Sequence, residues 1–270
     1  MSTTPYARPP STHAGAAPVS DRATLRKISR RLIPFMFLLY VVNYLDRINV
    51  SFAALGMNQD LGFSATTYGL GAGLFFLGYI LCQVPANLFL VRFGTRRWIG
   101  SLMIAWGVVA GAMSMIHGVA AFYFLRVLLG ITEAGFFPGM LVYLTHWFPA
   151  RERARAVAQF MAAIPISVII GGPVSGALLG LGGLGGVAGW RWLFLLEALP
   201  AVALGLVTYR YLTDHPTDAQ WLEPGEREWL TETLQQEPAA VPGAAASLRS
   251  IVGHPLIWTL AVTWMLTNTA

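Results

Sequence analysis

Four charged residues stand in stretches that are otherwise apolar. Asp46 and Arg47 lie in one such stretch, Arg126 and Glu133 in another. A charge at the centre of a bilayer-spanning helix costs about 2.5–3.5 kcal/mol, so four would cost roughly 10–14 kcal/mol if left unpaired. That rivals the stability of a whole domain. These groups must face a wet cavity or one another. A guanidinium holds a carboxylate through two parallel hydrogen bonds. A carboxyl group in such a place can take up and release a proton. The chemistry on offer is anion binding together with proton carriage. The alternative is structural: buried ion pairs that lock neighbouring helices, since a buried pair is weak evidence of function.

Spacing gathers these groups. Arg126 and Glu133 are seven residues apart, close to two helical turns, and share one stripe. Asn43 and Arg47 stand at i and i+4, with Asp46 beside them. In a further apolar stretch Tyr79, Gln83 and Asn87 repeat every fourth residue as a polar ladder. Glu197 is another acid within an apolar stretch. It either serves the same cavity or pairs with a loop arginine. Arg191, between Trp190 and Trp192, reads as an interfacial anchor.

The elements that must position these residues are membrane spans. Of 270 residues, 55% are hydrophobic and 11% charged, against about 25% charged in a soluble domain. Too few charges remain to wet a water-facing surface. That argues against a cytosolic enzyme, a disordered chain and a secreted disulfide scaffold. One cysteine, Cys82, allows neither an intrachain disulfide nor a CxxC metal site. The five histidines are scattered and no Gly-x-Ser-x-Gly nucleophile elbow occurs. An enzyme is not expected, nor any metal or other cofactor.

A span needs about 20 mostly apolar residues. Seven stretches qualify or nearly so: 31–55, 68–91, 98–116, 120–143, 156–181, 190–212 and one beginning near 251. The last has 15 residues from Leu256 to Ala270, about 22 Å of helix, and reads as clipped. Residues 1–28 read as a disordered leader, 29–212 as a six-helix bundle, 213–250 as an inter-bundle loop, and 251–270 as the start of a second bundle. Within the loop, Trp221, Leu222, Trp229, Leu230 and Leu234 among acids predict a short amphipathic helix at the membrane surface.

Fifteen of the 18 basic residues fall in the leader and in the loops after the second, fourth and sixth stretches. The opposite loops contain none, so the N-terminus is expected in the cytoplasm. Topology thus accounts for the net charge of +5, and no nucleic-acid partner is expected. On this orientation the first span runs outward and the fourth inward. The four charges then sit at similar depths if those spans are neighbours.

The residues carrying the charges also form recognisable motifs. The run Asn43-Tyr44-Leu45-Asp46-Arg47-Ile48-Asn49 resembles the signature of the anion:cation symporter family, a branch of the major facilitator superfamily. So does Glu133-Ala134-Gly135-Phe136-Phe137-Pro138-Gly139, with Trp147-Phe148-Pro149 and Arg151-Glu152-Arg153-Ala154-Arg155 after it. Gln83-Val84-Pro85-Ala86-Asn87, Gly189-Trp190-Arg191-Trp192 and Ala219-Gln220-Trp221-Leu222 are also similar. In the superfamily's loop after the second span, Arg92, Gly94, Arg96 and Arg97 match, while Asn87 stands for a glycine and Val91 for an aspartate.

The resemblance implies an all-α membrane protein: the N-terminal six-helix bundle of a major facilitator fold, a 3+3 inverted repeat, plus a truncated seventh helix. It implies a secondary transporter in a bacterial inner membrane, a monomer when full length, carrying a small organic anion (a sugar acid, dicarboxylate or aromatic acid) with protons. By position, Asp46 and Glu133 would couple protons, Arg47 and Arg126 would meet the substrate carboxylate or the acids, and Tyr44 and Tyr79 would line the pocket. The rival expectation is a truncated, non-transporting relic or interaction module.

Overall fold

The computed structural model describes residues 21–237 and Thr259, and among these residues the chain is a helical bundle without strands. The leader 1–20, the linker 238–250 and, apart from Thr259, the seventh stretch lie outside the described residues. Among residues 21–237 nine α-helices follow in order: α1 Asp21–Leu61, α2 Ala65–Phe93, α3 Thr95–Met113, α4 Val119–Glu133, α5 Phe136–Trp147, α6 Ala150–Met161, α7 Ala163–Leu179, α8 Gly189–Tyr211 and α9 Pro224–Gln235.

Residues 21–28 correct the expected leader boundary. They form the first two turns of α1, with Asp21 in the first turn and Thr24, Leu25 and Ile28 buried. Leu25, Ile28 and Leu32 continue the helical apolar stripe beyond the strongly hydrophobic segment, so burial starts the helix early. The fourth expected span is α4 followed by α5, and the fifth is α6 followed by α7. Each break lies four residues before a proline. Pro138 has no N–H for the Ala134 carbonyl, nor Pro165 for that of Met161.

Among the described residues five segments are long and apolar enough to cross a membrane: Asp21–Leu61, Ala65–Ala86, Val119–Trp147, Ala150–Leu179 and Gly189–Tyr211. α3 completes the bundle as a 19-residue helix that opens on Arg96 and Arg97 and packs along α8. The other main contacts join α2 to α4, and α1 to α7 and α8. Large apolar side chains cover the outside, with Ile80, Leu81 and Phe124 each 66% exposed. Such a surface suits hydrocarbon and would be costly in water.

At the end bearing the loop arginines, α9 opens on a capping box between Glu223 and Glu226, with Pro224 in its first turn. Its buried Leu230, with Leu222 just before it, joins the main core, and Trp221 stacks on Trp147 at 5.3 Å. The Arg31 guanidinium lies 4.8 Å from the Tyr211 ring and 4.9 Å from the Trp221 ring. Lys27 Nζ donates to Glu226 Oε2 at 2.7 Å. The expected surface helix therefore packs on the bundle itself. At the opposite end, Arg191 holds the α3–α4 loop, donating to the Ser114 carbonyl at 2.6 Å and the Ile116 carbonyl at 3.1 Å.

Candidate functional site

The α2–α4 crossing sets the site. A side chain at Gly130 would strike the Phe75 carbonyl, and one at Gly78 would strike the Val127 carbonyl. Glycine at both places lets the two backbones touch. The close approach lays Phe75 and Tyr79 of α2 over the charged stripe of α4. From the third side α1 contributes Asn43 and Arg47.

Glu133 is the last residue of α4 and fully buried. Its Oε2 accepts from Arg47 Nη2 at 3.0 Å and from Asn43 Nδ2 at 3.1 Å. Glu133 Oε1 and Asn43 Oδ1 are buried without a hydrogen-bond partner. The arginine is therefore engaged through one carboxylate oxygen only. Its guanidinium also lies 4.9 Å from the Tyr79 ring centroid and 5.6 Å from that of Phe75. Aromatic faces of this kind hold a cation without neutralising it.

Arg126 is 3% exposed. Its Nε donates to the Gly71 carbonyl at 3.2 Å, and its guanidinium lies 4.8 Å from the Phe75 centroid. Among the described residues it has no ion pair. Both guanidinium groups thus lie within 6 Å of the Phe75 ring centroid. Tyr44 is half-buried and packs edge-on against Tyr40 at 6.4 Å. Gln83 is half-buried on α2, and the Asn87 side chain lies outside the described residues.

Asp46 departs from the expected grouping. It is 1% exposed and turned away from Arg47, and its Oδ1 accepts from Asn49 Nδ2 at 2.9 Å. Its Oδ2 is buried without a partner. Asp46 and Arg47 share a depth but not a direction, because successive helical residues point about 100° apart. Glu197 of α8 is 7% exposed and accepts from Ser175 Oγ of α7 at 3.0 Å. Among the described residues it makes no ion pair with a loop arginine. Of the sequence candidates, Arg47, Tyr79, Arg126 and Glu133 are brought together, and Asp46 faces a second polar centre. Phe75 and Gly71 are site residues that sequence reasoning missed, since an apolar ring and a backbone carbonyl look like packing.

Two features lie outside this cluster. A cavity of about 490 Å³ between α1 and α6 is lined by Arg22, Arg26, Arg30 and Arg155 and excludes the four buried charges. At the α2–α3 turn, Gly94 takes φ +81°, a region that favours glycine. Asp214 Oδ1 accepts from the Arg96 backbone N–H there at 2.7 Å, and its Oδ2 lies 3.7 Å from the guanidinium. Arg96 thus finds its acid in the segment after α8. No group of three or more His, Cys, Asp or Glu able to hold a metal lies among the described residues.

A model of the Major Facilitator Superfamily matches residues 36–270. A protein of Agrobacterium vitis named for tartrate transport is 52% identical over 248 residues, covering 92% of this chain and 57% of that protein. The inner membrane transport protein RhmT of Escherichia coli is 39% identical over 243 residues, covering 90% of this chain and 56% of its own length. The chain spans about half the length of these relatives. Among solved structures, an inward-facing bacterial homologue of Spinster superposes with a TM-score of 0.65 at 21% identity, covering 73% of this chain and 45% of that one. That likeness concerns the fold alone. The fold, the apolar spans and the matching sequence together place this chain in the major facilitator superfamily of multi-pass membrane transporters, and not among enzymes.

Proposed function

We propose that these residues form the first bundle of a proton-coupled organic-anion transporter, with the anion held between this bundle and a second one. Such sites lie near the bilayer midplane between repeats. The observation that carries the reading is Arg126: a buried guanidinium that makes no ion pair among the described residues. A buried cation is costly unless an anion compensates it, and a planar carboxylate fits a guanidinium on two atoms. Arg47 supplies a second guanidinium near the same Phe75 ring.

Coupling follows from competition. While Glu133 is ionised it holds Arg47, and protonation of Glu133 frees Arg47 for the substrate carboxylate. Substrate and proton therefore favour the same state, which is the requirement for symport. Asp46 is the other proton-carrying acid in this reading, and Tyr44 and Tyr79 line the pocket. The substrate class is a small organic carboxylate; relatives named for tartrate transport support a dicarboxylate. The positions of the basic residues support a cytoplasmic N-terminus, and the E. coli relative named as an inner membrane protein supports a bacterial inner membrane. The full-length transporter is a monomer, with the segment after α8 as the inter-bundle loop.

Proteoliposome uptake of radiolabelled tartrate and sugar acids by the full-length transporter, under an inward proton gradient, tests this. Uptake is expected and is expected to collapse in Arg126→Ala. Uptake by Arg126→Ala at the wild-type rate would contradict the assignment.

A further inference from the structure

The buried acid that the mechanism above leaves unused is Glu197. It lies in α8, well inside the bundle, with Ser175 Oγ 3.0 Å from its Oε1 and its Oε2 buried without a partner. Asn49 of α1 also faces it, and Asn49 Nδ2 is itself the donor to Asp46 Oδ1 at 2.9 Å. Asn49 thus stands between two carboxyl groups, each with one orphaned oxygen. The elements packed on this part of α8 are α1, α3 and α7. From α1 the facing polar groups are Asp46 and Asn49, and from α7 Ser175. α3 presents Gly107, Ala110 and Gly111 in this region, where a side chain at Gly107 would strike Ala201 and Val202 and one at Gly111 would touch Ala198. From α4, Glu133 and Arg126 also act on Asp46 electrostatically, but neither carboxyl makes an ion pair among the described residues.

We propose that Glu197 is a third proton-holding carboxyl of the transporter, paired with Asp46 across Asn49. This deepens the proton-coupled reading and rests on it. Two carboxyl groups buried together with no cation in contact cannot both be ionised at ordinary cost. Such a pair holds and releases protons as a unit. The orphaned oxygens Asp46 Oδ2 and Glu197 Oε2 are where those protons sit. On release, the O–H bond of one carboxyl breaks and the proton passes to water on the outward or inward side. A new O–H bond to that water forms, and no other bond changes. The Ser175 hydroxyl and the Asn49 amide are positioning groups: each donates to a carboxylate oxygen and neither gives up its proton.

The test compares two modes of transport in proteoliposomes of the full-length transporter. Accumulation under a proton gradient requires net proton movement, whereas counterflow between equal substrate pools does not. Glu197→Gln keeps shape and hydrogen bonding, and is expected to lower gradient-driven accumulation at least tenfold while counterflow stays near the wild-type rate. Ser175→Ala is expected to move the pH midpoint of accumulation, again with counterflow unchanged. If Glu197→Gln accumulates substrate like wild type with an unchanged pH profile, the proposal is overturned. If both modes fall together in both variants, Glu197 serves packing and the proposal is equally overturned. If the wild-type transporter shows no response to the proton gradient, the failure lies in the symport reading itself.

Discussion

The bundle buries charge in two places and treats it in opposite ways. Between α1, α2 and α4, Glu133 is set against Arg47, and both Arg47 and Arg126 lie near the Phe75 ring. Between α1, α7 and α8, Asp46 and Glu197 meet hydroxyl and amide groups and no cation. The first centre carries more positive charge than its own acid cancels. The second has no positive charge in contact. In low dielectric an excess guanidinium calls for an anion, and an excess carboxyl calls for a proton. One bundle can thus keep its two ligands apart, a short distance along the same helix.

The comparison breaks first at Glu133. Removing one partner of a buried pair strands the other, which costs about 3–5 kcal/mol. Glu133→Ala is expected to lose about that much stability, read as a large drop in the thermal midpoint followed by thiol labelling of Cys82. Asp46→Asn should behave differently, since Asn49 Nδ2 can still donate to the amide oxygen. Its thermal midpoint should stay within about 1 kcal/mol of wild type. Equal losses in the two variants would show that the centres are not of different kinds.

Next in size is the backbone contact that holds the charged centre together. Gly130→Ala pushes a methyl into the Phe75 carbonyl, so a loss of about 1–3 kcal/mol is expected. Tartrate uptake should fall with it, because Phe75 and Tyr79 shift off the two arginines. Gly73, in the facing helix α2, meets nothing within 4 Å, and Gly73→Ala is the control with little effect expected.

The smallest effect sits outside the membrane. Burial pushes the Glu226 carboxyl up, but the hydrogen bond from Lys27 and the Glu223 backbone N–H outweigh it and hold it below the usual carboxylate range. A group lowered on folding stabilises above its unfolded value and loses that contribution as pH falls through its folded value. The docking of α9 should therefore be constant near neutrality and loosen below about pH 4.3. Hydrogen exchange of residues 224–235 at acid pH checks this. Lys27→Ala should loosen the helix already at neutral pH, by well under 1 kcal/mol because the pair is partly solvated.

Much of this was legible in the residues. Charges within apolar runs, the seven-residue spacing of Arg126 and Glu133, and the step from Asn43 to Arg47 pointed to the centre that forms. Their depth could be read from the orientation of the spans. Direction around the helix could not, because the side on which Asp46 falls depends on which helices pack there. Phe75 was invisible for a different reason: a ring beside two guanidinium groups and a ring in a core have the same sequence. The breaks before Pro138 and Pro165 were readable in principle from the missing N–H. The docking of α9 was not, since an apolar stripe does not say whether lipid or protein covers it.

The division into an anion centre and a proton centre is tested most directly by one paired assay. Tartrate counterflow and gradient-driven accumulation would be measured side by side in proteoliposomes of Arg126→Ala and Asp46→Asn. Arg126→Ala is expected to lose both activities, by about two orders of magnitude or more. Asp46→Asn is expected to keep counterflow and lose accumulation. Counterflow surviving in Arg126→Ala, or lost together with accumulation in Asp46→Asn, would contradict the division.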